Sequence, residues 1–214
     1  MTIAVIADIV GSRRLADRAD AQRALEDAIA QVEHDYPVAM QPLRPTVGDE
    51  LQALFPTIET SLCSILLLQL ALPESIRCRF GIGIGEVGTI ASTTGALPDG
   101  PGWWAAREAI NKVHALEQRT APTARAWIVA AQGQHEGVHS STSMANAYLL
   151  SRDEIVSAMS ARARRLTYGR CINSKQSDLA RAEGISQPAV SQALAAAGSA
   201  AVVEGFFALS GSVS

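Results

Sequence analysis

The chain has 214 residues, 48% of them hydrophobic and 18% charged, which supplies a packed core and argues against a disordered or fibrous class. That length suits one large domain or a domain of about 150 residues with a small appendage. The run "CSILLLQLAL" (63–72) is too short to span a bilayer, and "TIAVIADIV" has no basic leader. A soluble cytoplasmic protein is expected. Cys63, Cys78 and Cys171 are odd in number and lack metal-like spacing, so they read as reduced structural thiols.

In chain order, "IAVIADIV" is the continuous apolar run of a central strand, broken by Asp8. "ADAQRALEDAIAQVEHDY" carries Ala24, Leu25, Ala28, Ile29 and Val32 at helical spacing, and Pro37 stops it. "VAMQPLRPTVGDELQALF" predicts two strands about a turn at Gly48-Asp49. A helix follows from an N-cap at Thr57, with Thr60 standing where a full capping box would have Glu or Gln. "IRCRFGIGIGEV" alternates and is glycine-rich, as suits a strand close to another backbone or a ligand. This β-α-β-β-α-β order predicts a ferredoxin-like antiparallel sheet with helices on one face. Next come a turn cluster, "LPDGPG", a helix over 103–118 and a strand over 124–131. "QGQHEGVHSSTS" predicts an exposed loop or domain boundary, and from Met144 the chain reads as helical.

Strand one and the β2–β3 hairpin are neighbours in such a fold, so Asp8 and Asp49 are expected to face each other at one edge of the sheet. Two carboxylates brought together suit a hard cation such as Mg²⁺, with nucleotide phosphates completing its shell. "IVGSRR" follows directly: Gly11 and Ser12 offer backbone N–H groups, and Arg13 and Arg14 balance phosphate charge. Plainer readings stand beside these. The acids are turn residues, the arginine pair is solvated surface, Trp103 and Trp104 are packing, and the glycines of "GIGIGEVG" admit close packing.

"ADIVGS" and "TVGDELQALF" resemble the two metal motifs of class III nucleotidyl cyclases, and the second also resembles the diguanylate cyclase hairpin. "RFGIGIGEVGTI" looks like the cyclases' following strand, and "AAR" (105–107) like the end of their catalytic helix motif. The resemblance covers about residues 2–130. With "DGPGWWAAREAI" and the C-terminal region, the whole chain resembles the SatD family. The resemblance implies a cyclase-like palm with Asp8 and Asp49 as metal ligands and Arg107 as a catalytic group stabilising phosphoryl charge. Pro45 stands where the cyclases carry a base-selecting Lys, and Trp103 where they carry an Asn. Those departures imply nucleotide or metal binding without efficient cyclisation.

Residues 160–200 hold six basic side chains against two acidic ones, a surplus of +4 in a chain whose net charge is −3. An acidic body with a basic end suggests that only the end meets a polyanion. "KQSDLARAEGISQPAVSQAL" (175–194) places small Ala180 at a helix crossing, Gly184 at a turn, Ser186 as an N-cap and Val190 inward. It resembles bacterial helix-turn-helix modules of the sigma and repressor types, whose second helix lies in the DNA major groove. Ser186, Gln187, Ser191 and Gln192 would then meet bases or phosphates, while Arg164, Arg165, Arg170, Lys175 and Arg181 contact phosphates. A unit used for packing or dimerisation is the alternative. "SAAVVEGFFAL" (199–209) reads as a closing helix or a dimer contact.

The expected architecture is α+β: a ferredoxin-like, nucleotidyl cyclase-like palm domain over 1–138, a helical arm with an all-helical helix-turn-helix over 139–209, and a tail over 210–214. The expected function is a dimeric DNA-binding transcriptional regulator that senses a nucleotide with Mg²⁺. The alternative is an active nucleotidyl cyclase or related phosphotransferase localised by its helix-turn-helix.

Overall fold

The computed structural model describes residues 2–12, 18–46, 50–92 and 95–211. Strand β1 (Ile3–Ile9) lies in a five-stranded sheet with β2 (Gln41–Pro45), β3 (Leu51–Phe55), β4 (Cys78–Ile84) and β7 (Ala126–Ala130), ordered β2-β3-β1-β4-β7. β1 is antiparallel to both β3 and β4, whereas β4 and β7 run parallel. Helices α1 (Arg18–Asp35) and α2 (Ile58–Ala71) cover one face and α3 (Pro101–Arg119) the other. The sheet is therefore mixed and buried on both faces, where the sequence predicted an antiparallel sheet covered on one. Every residue of β1 from Ile3 to Ala7 is buried, with Ile3, Val5 and Ala7 toward α1 and α2 and Ala4 and Ile6 toward α3.

Two glycines set the second face. A Cβ on Gly83 would lie 2.0 Å from the Gly102 carbonyl oxygen, and one on Gly81 would lie 2.3 Å from that of Ala106. The glycine-rich stretch thus lets α3 lie directly on β4, which favours the packing reading over a phosphate loop. Between β4 and α3 a short hairpin, β5 (Gly88–Ser92) and β6 (Gly95–Asp99), stands apart as its own two-stranded sheet. No strand was expected there; the "LPD" of the turn cluster belongs to β6.

Two local expectations are corrected. Thr60 does complete a capping box: its hydroxyl accepts from the Thr57 N–H at 3.2 Å while the Thr57 hydroxyl accepts from the Thr60 N–H at 3.2 Å. A threonine hydroxyl fills the accepting role of Glu or Gln. The segment read as a loop is mostly helix, because α4 begins at Glu136 and runs to Ala158. Its Ser141, Thr142 and Ser143 hydroxyls donate to carbonyls one turn back, so they do not compete with the helix.

The remaining helices are α5 (Ala161–Cys171), α6 (Gln176–Glu183), α7 (Gln187–Ala196) and α8 (Ser199–Ser210). The expected boundary at 138/139 falls in the first turn of α4. The main core runs across it, joining sheet residues such as Phe80 to Leu149, Met159, Val203 and Phe206. α2 is buried from Ser61 through Leu70 because the sheet lies on one side of it and α5 and α8 on the other. α8 is thus a closing helix, with Phe206 against Tyr36 at a centroid distance of 5.5 Å. All three cysteines are free and buried.

Helix α4 is bound to β7 through side chains. Asn146 accepts from the Ile128 N–H at 2.8 Å and donates to the Ile128 carbonyl at 2.9 Å. Asp153 accepts from the N–H groups of Arg125 and Ala126 at 2.6 and 3.0 Å, and also from Gln69 and Arg152. No single helix among the described residues is long and apolar enough to cross a membrane.

Candidate functional site

Strand register lines up charge across one end of the sheet. Asp8 on β1 pairs with Arg79 on β4, Arg79 is followed across the sheet by Arg125 at the start of β7, and Glu50 precedes β3 on the other side. Asp8, Glu50 and Arg79 share the face toward α3, because they alternate with Ala7, Leu51 and Phe80, which point into the main core. The Arg79 guanidinium grips Asp8 through both oxygens, Nε to Oδ1 at 2.8 Å and Nη2 to Oδ2 at 3.1 Å. Its Nη1 donates to Glu117 of α3 at 2.9 Å, and the second Glu117 oxygen lies 3.0 Å from Arg125. Burial works against the Arg79 charge, but Asp8 and Glu117 outweigh it and hold the guanidinium above its ordinary value. Burial, then the charge of Asp8, pushes the neighbouring Cys78 thiol up to about 12.

Arg107 projects from α3 onto Glu50, with Nη2 to Oε1 at 2.7 Å and Nη1 to Oε2 at 2.6 Å. Below the turn, Thr46 closes the hairpin by donating to the Glu50 carbonyl through its N–H at 2.9 Å. Gly11 turns the chain out of β1 at a φ of 69°, and Ser12 is buried. Arg13, Arg14 and Asp49 lie outside the described residues, as does the Gly48-Asp49 turn. Asp8 and Arg107 therefore flank the base of that hairpin, each already paired with an opposite charge.

The implied Mg²⁺ can be tested against the side chains in place. Among the described residues no three His, Cys, Asp or Glu groups cluster as metal ligands. Asp8 gives both oxygens to Arg79, so a cation there would share or displace that contact. Trp103 is buried in the smaller core under α3, while Trp104 is exposed and donates from its indole to Asp99 at 2.9 Å. Sequence reasoning missed Arg79 and Glu117. Alternation could have found Arg79, since it falls on the same face of β4 as Gly81 and Gly83.

At the other end, α6 and α7 meet across a three-residue turn, with Gly184 left-handed at a φ of 65° and Ser186 capping α7. Leu166, Ala180, Val190 and Leu194 form its small core. Lys175, Arg181, Ser186, Gln187, Ser191 and Gln192 are all exposed. Several of the other basic residues are committed elsewhere. Arg165 holds Glu183 through both oxygens at 2.6 and 2.7 Å, Arg170 donates to the Ser174 carbonyl, and Arg164 is half-buried. Arg165 nonetheless stays exposed, and a DNA phosphate would have to compete with Glu183 for it.

The SatD family model matches residues 2–199. Among curated proteins no sequence matches the chain. Solved structures similar to it include a bacterial light-regulated adenylyl cyclase at 12% identity and a TM-score of 0.41, over 56% of this chain and 71% of that one. A guanylyl cyclase matches at 17% identity and a TM-score of 0.39, over 52% of this chain and 70% of that one. The catalytic core of a rhodopsin-guanylyl cyclase with ATPαS matches at 15% identity and a TM-score of 0.37, over 51% and 71%.

Proposed function

We propose that this chain, which belongs to the SatD family, is a DNA-binding regulator whose cyclase-like domain binds a nucleotide without turning it over efficiently. The observation that carries the sensor half is the double pairing at the hairpin base. Asp8 is held by Arg79 and Arg107 by Glu50, so the groups that the cyclase motifs would use for metal and phosphoryl charge rest in ion pairs. A bound triphosphate would recruit Arg107 from Glu50, while Asp8 and Asp49 would hold Mg²⁺ and Gly11, Ser12, Arg13 and Arg14 the phosphates. The metal would supply charge neutralisation on the phosphates. A sensor built this way changes its own ion pairs when it is loaded.

The DNA half rests on the first turns of α7, where Gln187, Ser191 and Gln192 are exposed beside Lys175 and Arg181. Gln and Ser suit base edges or phosphates, and Lys and Arg suit phosphates. A homodimer would set two copies of α7 on paired half-sites. The exposed Ile90–Leu97 pair on the β5–β6 hairpin, near exposed Trp104, offers an apolar contact for it. The second reading, a nucleotidyl cyclase or related phosphotransferase, is favoured by Arg107 lying against Glu50, the residue that follows Asp49 in the chain.

One experiment separates the readings. The purified chain is mixed with each nucleoside triphosphate and Mg²⁺ or Mn²⁺, and melting temperature and products are followed together. Thermal stabilisation that disappears in Asp49→Ala, with no product, supports the sensor. Product that disappears in both Asp8→Ala and Arg107→Ala makes it an enzyme. Duplex DNA binding is measured by anisotropy against salt, and absence of salt-dependent binding at low ionic strength ends the regulator reading.

A further inference from the structure

At the junction of the sheet with the helical arm lies a cleft of about 320 Å³, enclosed by α2, the start of β4, the α3–β7 loop, α4 and α5. Its size falls within the range of small-molecule sites. Neither Asp8, Glu50 nor Arg107 lines it, so it is separate from the hairpin base. Leu72, Ile76 and Val156 give it an apolar wall, and Arg77, Arg125 and Arg164 give it three guanidinium groups.

The balance of charge in the lining is unusual. Asp153, the one acid among the described lining residues, is taken up by Gln69, Arg152 and two backbone N–H groups. Arg125 is already paired with Glu117 at 3.0 Å, so Arg77 and Arg164 are the arginines left without an ion pair among the described residues. Arg77 is exposed and makes no ion pair with the described residues. Arg164, a lining residue, keeps a buried Nε donor without a partner among the described residues. Burial holds the Arg164 guanidinium below its ordinary value, and the Arg77 charge adds to this against the pull of Glu74. Arg125 is held down first by burial and then by Arg77 and Arg79, against Glu117 and Asp153. Converging cations of this kind are relieved by an anion with several acceptor oxygens.

We propose that this cleft is an effector site for a small organic phosphate, its phosphate among Arg77, Arg125 and Arg164 and its apolar body against Leu72, Ile76 and Val156. A phosphate brings more acceptor oxygens and up to one more negative charge to these guanidinium groups than a carboxylate does. Because the wall is shared by β4, α4 and α5, the ligand ties the sheet to the arm that leads into α6 and α7. Binding there stabilises that junction and gives an effector a route to the helix pair. This proposal stands independently of nucleotide binding at the hairpin base.

The test uses the full chain and phenyl phosphate as probe, with inorganic phosphate and phenol as controls, read by calorimetric titration and melting temperature. Phenyl phosphate is expected to bind saturably, at least about tenfold more tightly than inorganic phosphate, with no response to phenol. Arg77→Gln and Arg164→Gln are each expected to weaken it about tenfold or more while circular dichroism remains that of the wild type. Asp49→Ala is expected to leave it unchanged. The proposal is overturned by folded arginine variants that bind as tightly as wild type, by a response that equal ionic strength of sodium chloride reproduces, or by loss in Asp49→Ala. Inorganic phosphate binding as tightly as phenyl phosphate overturns the organic part of the assignment. Arg77 is exposed and makes no ion pair among the described residues, so its variant keeps the test open if Arg164→Gln fails to fold.

Discussion

The α4–β7 junction and the sheet end beneath α3 both set carboxylates among arginines, yet they hold them in opposite ways. Asp153 has a fully buried side chain that collects five hydrogen bonds, two of them from backbone N–H groups that cannot move away. Asp8 is gripped by one arginine and its side chain is 26% exposed; Glu50 is gripped by an arginine that is itself half exposed. A carboxylate held by backbone is fixed when the chain folds. A carboxylate held by a half-exposed guanidinium, as Glu50 is by Arg107, can give its partner to a phosphate. Asp8 lies between the two cases, because its partner Arg79 is buried and also held by Glu117. The first region is architecture, and the second is where the proposed machinery would sit.

Substitutions break this comparison in a definite order. Asp153→Ala leaves the buried Arg152 without its counter-charge and two backbone donors unpaired, and is expected to cost about 3–5 kcal/mol in denaturant unfolding. Gly83→Ala drives a methyl into the α3 backbone and is expected to cost about 1–3 kcal/mol by the same measurement, with α3 displaced from β4. Asn146→Ala removes a matched pair of hydrogen bonds to Ile128 and is expected to cost about 1–3 kcal/mol. Glu50→Gln sits at the machinery end. It is expected to change stability by less than about 1 kcal/mol, since exposed pairs contribute little, while releasing Arg107 and tightening triphosphate binding. If Glu50→Gln instead destabilises as much as Asp153→Ala, the division between the two regions fails.

A pH series sharpens the picture. Burial pushes Cys63 up to about 11 and Cys78 and Cys171 up to about 12. A thiol whose folded pKa is raised contributes stability that is complete below its unfolded value near 8.5 and is lost as pH rises through the folded value. Unfolding free energy is therefore expected to fall between about pH 9 and pH 12, and a native chain at pH 8 is expected to resist thiol reagents that label all three cysteines after denaturation. Rapid labelling of any cysteine in the native chain would contradict their burial.

How much of this was legible in the sequence follows from which interactions are local. Strand and helix periodicity, the Gly184 turn and the Ser186 cap are written within a few residues, and they were read correctly. The β5–β6 hairpin was missed because its strands carry little alternation and its first strand continues directly from the glycine-rich run. The start of α4 was missed because Ser141, Thr142 and Ser143 look like loop residues until their hydroxyls find the preceding turn. At the candidate site, Asp8 was flagged as the charge that breaks the first apolar run, and Arg107 by motif resemblance. Alternation puts Arg79 on one face of its strand, but its pairing with Asp8 depends on register between strands. The pairing of Glu50 with Arg107 depends on α3 crossing the second face, and a linear pattern carries neither.

The side-chain bonds from α4 carry a further consequence for the molecule's behaviour in a crowded solution. β7 and β2 are the outer strands of the sheet, and an outer strand normally offers free backbone groups on which another chain can add a strand. On β7 the N–H groups of Ala126 and Ile128 are already occupied by Asp153 and Asn146. On β2, Pro42 and Pro45 have no N–H to offer. Each margin thus has donors removed by different chemistry, which disfavours strand addition, and Asn146→Ala would return one donor of β7 to the edge.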